Sequence, residues 1–178
     1  MYFQTTITLV VVAVLTLLIV TSNRHAAVEN DVWVLEYSPL WRGLVKALWL
    51  FPMAIAVIAI VSPPNKGEGW IVFAIIFGFT AINLPLSLEV SRRRIELAEN
   101  HITQHSAWSK PVTIAWQDVH EVVWKLSDEI HLRSKRGAVV NISRYLSGMA
   151  TAADEFEQRM PHVPGIDKIV ERMRRSHV

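Results

Sequence analysis

The sequence predicts a membrane α-helical hairpin preceded by an N-terminal transmembrane helix and followed by a small α+β domain, a bent antiparallel sheet closed by a C-terminal helix. Three observations predict this. The chain of 178 residues is 51% apolar and only 19% charged, with a mean hydropathy of +0.27, too apolar for disorder and unusual for a soluble domain. Its charges are uneven: residues 1–89 hold 4 basic and 5 acidic side chains, and residues 90–178 hold the other 14 and 11. After Glu89 the apolar period changes from helical to alternating. These shifts divide the chain into a membrane region (1–89), a domain over 90–161 and a polar tail over 162–178, which reads as a short polar helix or a disordered end.

Phe3 to Val20 carries no ionisable side chain, and about 18 residues make a helix of roughly 27 Å, enough to span a bilayer core. A cleaved signal peptide fits less well, because the run has no Lys or Arg before it and residues 25–27 make a poor cleavage site. The second run, 43–62, is interrupted only by Lys46 near its start, where a long stem can snorkel to the headgroups. It stops at Pro63-Pro64-Asn65-Lys66-Gly67, a turn no helix crosses. The third, 70–88, is free of charge. Pro52 and Pro85 are expected to kink their helices, and Asn83 places an amide near the inner end of the third. No Asp, Glu or His lies within the three apolar runs to relay a proton or bind an ion, which argues against transport.

Orientation follows from positive charge. Arg24, Arg42, Lys46, Arg92, Arg93 and Arg94 fall on one side of the membrane and Lys66 alone on the other. The first side is then cytoplasmic, which puts the N-terminus outside, the C-terminal domain inside, and the protein in the cell's inner (plasma) membrane. Between the first two helices, residues 28–41 hold Val32, Trp33, Leu35, Tyr37, Leu40 and Trp41 and are too apolar for a solvated loop. This linker is expected to lie in the headgroup region or against the soluble domain, with Trp33 and Tyr37 as candidates for docking a partner.

Beyond Glu89, Ile95 and Leu97 share one face of a first strand, and Glu99-Asn100 turns the chain into a second over 101–106. Val112, Ile114 and Trp116 alternate, as do Val122, Trp124 and Leu126, then Ile130 and Leu132, then Ala138, Val140 and Ile142. Turn residues separate them at 109–111, 127–128 and 135–137. Short strands so closely spaced imply an antiparallel meander, since parallel pairing needs crossover helices. Leu146, Met149, Ala153, Phe156 and Met160 then form a helical stripe that stops before Pro161. The small residues from Gly148 to Ala153 allow its first turns to approach a sheet closely. The 92–161 segment is expected to fold alone.

This order of membrane helices, strands, the step Ile114-Ala-Trp116-Gln-Asp118-Val119, then Ile130-x-Leu132, Gly137, Val140-Asn-Ile142 and a helix ending at Met160-Pro161 resembles the bacterial pleckstrin-homology-like domain family of small multi-pass membrane proteins. The resemblance covers about residues 88–161 and implies an interaction module without a reaction. Trp116 would anchor a strand end in the core, and Asp118 would fix the turn into the next strand. Six strands are counted where pleckstrin-homology folds have seven, so either 86–97 is broken in two or a strand is missing.

Chemistry is hard to find. There is no cysteine, hence no thiolate metal site or nucleophile. His101 and His105, four apart on a strand, are about 13 Å from one another. No metal-ligand spacing, phosphate-cradling glycine loop or nucleophile elbow occurs, so no catalytic, cofactor or metal residue is assigned and no cofactor is expected. Basic and acidic residues are too interleaved for nucleic-acid binding. Arg92-Arg93-Arg94 reads either as topology-setting charge or as a lipid-interface site. The expected partners are the lipid bilayer and a membrane or cytoplasmic protein. Two roles follow: a non-catalytic, membrane-anchored interaction module, or an accessory subunit docked into a larger complex through its helices.

Overall fold

The computed structural model describes residues 26–29, 32–65 and 67–175. The helix expected over 3–20 lies outside them. Contacts divide the chain into two units: the described residues up to Ser38 together with those from Arg93 onward, and the segment Pro39–Arg92.

The inserted segment is helical. It contains α1 (Pro39–Ala47), α2 (Leu50–Val61) and α3 (Gly69–Arg92). Pro39–Val61 and Gly69–Arg92 are each long and apolar enough to cross a membrane. Both outrun the expected 43–62 and 70–88. The first starts early because Ser38-Pro39 is a start signal, proline being preorganised for the first helical position. The second continues through Glu89 to Arg92, a cation well placed at a helix C-terminus. Pro52 acts one turn upstream: its ring and missing N–H disturb the carbonyl of residue 48. There the bonds become short-range, from Trp49 N to Lys46 O (3.1 Å) and from Phe51 N to Leu48 O (3.3 Å). The α3 helix, by contrast, passes through Pro85. Phe51 meets Phe79 at 4.4 Å, and Trp49 Nε1 donates to Ser87 Oγ at 2.9 Å, which ties α2 and its preceding turn to α3.

The other unit is sheet-rich. A five-stranded antiparallel sheet runs in the order β1 (Ala27–Glu29), β2 (Val32–Glu36), β3 (Arg94–Leu97), β4 (His101–His105), β5 (Val112–Ala115). A short 3₁₀ turn, Trp116–Asp118, leads into a three-stranded antiparallel sheet of β6 (Val119–Trp124), β7 (Glu129–Ser134) and β8 (Val139–Ser143). Alternation gives the core: Ile95, Leu97, Ile102, Ile114, Ile130, Leu132, Val140 and Ile142 are all buried. Helix α4 (Met149–Arg159) closes it with the expected stripe, Leu146, Met149, Ala153, Phe156 and Met160 being buried.

The structure corrects or narrows three sequence expectations. In the segment expected in the headgroup region or against the soluble domain, residues 27–29 and 32–36 are two strands of the sheet unit itself, with Leu35 opposite Ile95 and Trp33 opposite Leu97. Their apolar side chains have a strand partner to cover, which removes the need for a headgroup location. Leu126, read as the third residue of an alternating strand, stands on the turn after β6 and is fully exposed. The tail after Pro161 takes the helical one of its two expected forms, α5 (Ile166–Arg175), and it is packed rather than merely polar, because Ile166, Val170 and Met173 recur at helical spacing and are buried. Arg174 clips α5 to α4 through Asp154 (2.7 Å) and Glu157 (2.6 Å), and these carboxylates raise its pKa. Arg172 lies over the Trp124 ring at 4.5 Å.

Candidate functional site

The meander fixes which connections meet. Glu36 is the register partner of Arg94, and Arg94 of His105. The chain therefore leaves for Pro39 and returns at Arg93 at one end of the sheet unit, the tethered end. Successive antiparallel connections alternate between ends, so the connections at Ala98–Asn100, Trp116–Asp118 and Lys135–Gly137 gather at the other. Trp116 N donates to Asn100 O (3.3 Å) and Lys135 N to Asp118 O (2.9 Å) across that distal end.

At the tethered end the three arginines separate. Arg92 ends α3, Arg93 links helix to strand, and Arg94 begins β3. The Arg93 side chain is only 10% exposed, its Nη2 donating to Glu129 Oε1 (3.1 Å) and to the Asn141 carbonyl (2.9 Å). Gln104 Oε1 accepts from Asn141 N at 2.7 Å. Arg93 thus fastens the start of β3 to β7 and β8. Arg94 is 42% exposed and pairs with Glu96 at 2.9 Å. Arg92 is exposed, Arg93 is tied into the sheet unit and Arg94 is paired along its own strand.

Trp33 and Tyr37 are partly buried against the core, and Tyr37 bridges to Leu146. They belong to the fold of the sheet unit, so a substitution at either disturbs the sheet as well as any partner docked there.

At the distal end Trp116 is a core anchor, as expected. It is buried, its Nε1 donates to Ala98 O at 2.9 Å, and its ring meets Phe156 edge-on at 6.0 Å. The Asp118 carboxylate reaches Arg136 at 3.8 Å, while its backbone carbonyl takes the Lys135 N–H, so the backbone does the turn-fixing assigned to the side chain. Around Trp116 opens a recess of about 400 Å³ lined by Glu99, Asn100, Gln117, Arg159 and His162. Arg159 bonds to Glu155 and the Glu99 carbonyl and lies over the Trp116 ring at 5.9 Å. His162 Nε2 lies 3.1 Å from the Val119 carbonyl, an acceptor, so that nitrogen carries the proton.

The recess therefore offers a carboxylate, two amides and an anchored guanidinium, a set suited to hydrogen-bonding a polar segment. Sequence reasoning found Trp116 but missed the other five; the Glu155–Arg159 spacing of four was the one local signal. Among the described residues no group of three or more His, Asp or Glu is placed to hold a metal ion. Comparisons with protein-family models, curated proteins and solved structures give no match for this chain.

Proposed function

We propose that this chain is a non-catalytic, membrane-anchored interaction module: a pleckstrin-homology-like domain held at the cytoplasmic face by its helices, which binds another protein through the distal recess. The observation that carries this is topological. The helical segment is inserted between neighbouring antiparallel strands, Glu36 facing Arg94, so both of its links leave from one end while the recess around Trp116 lies open at the other. Both covalent links to the helices thus leave the distal recess free of the connection. The strands support the pleckstrin-homology-like reading: β2 adds a seventh to the six of residues 90–161, the three-residue β1 is an eighth at the edge of the larger sheet, and helix α4 follows the last strand. Six basic residues against one favour the cytoplasmic side.

The test is affinity purification of the intact chain in mild detergent, comparing wild type with Gln117→Arg and Asn100→Arg, both at exposed positions. The module reading expects both to lose a protein recovered with wild type while abundance and membrane insertion are unchanged. If both retain it and substitutions on the exposed faces of α2 and α3 release it, the chain is an accessory subunit docked through its helices.

A further inference from the structure

We propose that the tethered end of the sheet unit makes a second membrane contact of its own, in which Trp108, Leu126 and Tyr145 enter the headgroup region of an anionic bilayer. The proposal rests on Pro39–Val61 and Gly69–Arg92 being membrane spans, and goes beyond it by assigning a lipid-binding surface to the sheet unit.

Three connections share this end. The β4–β5 connection starts beside Arg94, because His105 is its register partner. The β6–β7 turn adjoins Glu129, which holds Arg93 at 3.1 Å. The segment after β8 returns beside Glu36, whose carbonyl accepts from Ser147 N at 2.8 Å. Arg144 N also donates to Asp128 O at 3.1 Å, joining the last two connections. Each carries one exposed large apolar side chain: Trp108 at 61%, Leu126 at 105% and Tyr145 at 38%.

A single exposed leucine is ordinary. Three such side chains at one end need a cause, because the connections at the other end are tipped by Glu99, Asn100, Gln117, Lys135 and Arg136. The cause is available in the covalent chain. Ser38 is followed directly by the first span and Arg93 directly follows the second, so the end that holds both residues cannot lie far from the bilayer surface. Trp and Tyr favour the interface, where an apolar ring and a polar edge are both satisfied. Lys110 and Lys125 are exposed on the same connections, and Arg144 lies over the Tyr145 ring at 5.2 Å while pairing with Asp128. Positive charge flanking short apolar anchors is the composition that holds a protein on an anionic surface without spanning it.

The absence of cysteine allows a nitroxide to be placed at one position at a time. The full chain carrying Trp108→Cys, Leu126→Cys, Gln117→Cys or Phe73→Cys is reconstituted in phosphatidylcholine nanodiscs with and without phosphatidylglycerol, and accessibility to oxygen and to a water-soluble nickel chelate is measured. Labels at 108 and 126 are expected about 5–10 Å below the headgroup surface, shifting deeper with phosphatidylglycerol. The label at 117 is expected in water and that at 73 in hydrocarbon. Labels at 108 and 126 as accessible to chelate as that at 117, with 73 in hydrocarbon, overturn the proposal and leave the spans intact. Labels shielded from both reagents indicate a protein contact and overturn it equally. If 73 is also in water, the spans themselves fail and the proposal falls with them.

Discussion

In the sheet unit Ile95, Ile102, Ile130 and Ile142 have no solvent exposure, whereas in the helical unit Ile58, Ile60, Ile71 and Ile82 remain largely on the surface. The residue type is the same, and its surroundings are opposite. Each isoleucine of the sheet unit gains from leaving water, at about 25 cal/mol per Å² of apolar surface. Those on α2 and α3 remain exposed and would carry a penalty in water, which is the composition of segments apolar enough to cross a membrane. The chain passes from one composition to the other between the register partners Glu36 and Arg94.

The largest test of this division is to remove one part. Because Glu36 and Arg94 are register partners, replacing residues 39–92 by a short Gly-Asn linker in a chain that starts at residue 26 turns the excursion into an ordinary hairpin. Free of the three apolar runs, the product is expected to be water-soluble and to unfold cooperatively, as read by circular dichroism. The 92–161 fragment leaves out β2 and α5 and strips cover from Ile95 and Leu97, so it is expected to lack a cooperative transition. Equal stability of the two would show that the strand before the helices adds nothing, and the division would have to be redrawn.

A substitution of similar chemistry in each unit sharpens the contrast. Trp116→Ala removes a buried ring, its bond to Ala98 and its edge contact with Phe156, and is expected to cost the sheet unit about 3–5 kcal/mol. Phe73→Ala removes a ring that is 76% exposed and is expected to change the same transition by less than about 0.5 kcal/mol. Denaturant titration followed by near-ultraviolet circular dichroism reads both.

How far these parts were legible in the sequence depends on whether their cause is local. Alternation in β3, β7 and β8 and the stripe of α4 are short-range patterns, and they survive intact. Strand β2 was missed because Val32, Trp33, Val34 and Leu35 form an unbroken apolar run, and their partner β3 lies across the whole helical excursion. Nothing in a window of ten residues reveals that pairing. Helix α5 was open as one of two forms of the tail, but its packing was not foreseen: Ile166, Val170 and Met173 stand among so many Lys, Arg and Glu that composition hid a periodicity that was present. Leu126 satisfied alternation on paper, yet the strand ended at Trp124. The recess was the least legible, since it joins residues from 99–100, 116–117 and 159–162.

Glycine at 148 tests how closely the sheet unit is built. Its φ is +89°, and a Cβ there would come within 2.7 Å of the Ala26 backbone. Gly148→Ala therefore meets both left-handed strain and a backbone that cannot yield, on the order of 3 kcal/mol together. Gly137 has φ +85° and open space around it, so Gly137→Ala is expected to cost only about 1 kcal/mol. Thermal unfolding of the two variants separates strain from collision; equal losses would show that the approach to Ala26 relaxes freely.

A last contrast distinguishes two neighbouring arginines at the point where the chain returns from the helices. Arg93 is nearly enclosed and makes two charge-assisted bonds, one to the Glu129 carboxylate and one to the Asn141 carbonyl. Arg93→Ala removes both and leaves Glu129 without that cation, for a loss of about 1.5–3 kcal/mol. Arg94 is half in solvent and pairs with Glu96 on its own strand. Such a pair forms in high dielectric and is screened by salt, so Arg94→Ala is expected to cost about 0–1 kcal/mol, with the difference shrinking further as ionic strength rises. If denaturant unfolding gave the two variants the same loss, Arg93 would not be the fastening between β3 and the three-stranded sheet. The arginine run would then revert to a single cluster of topology-setting charge.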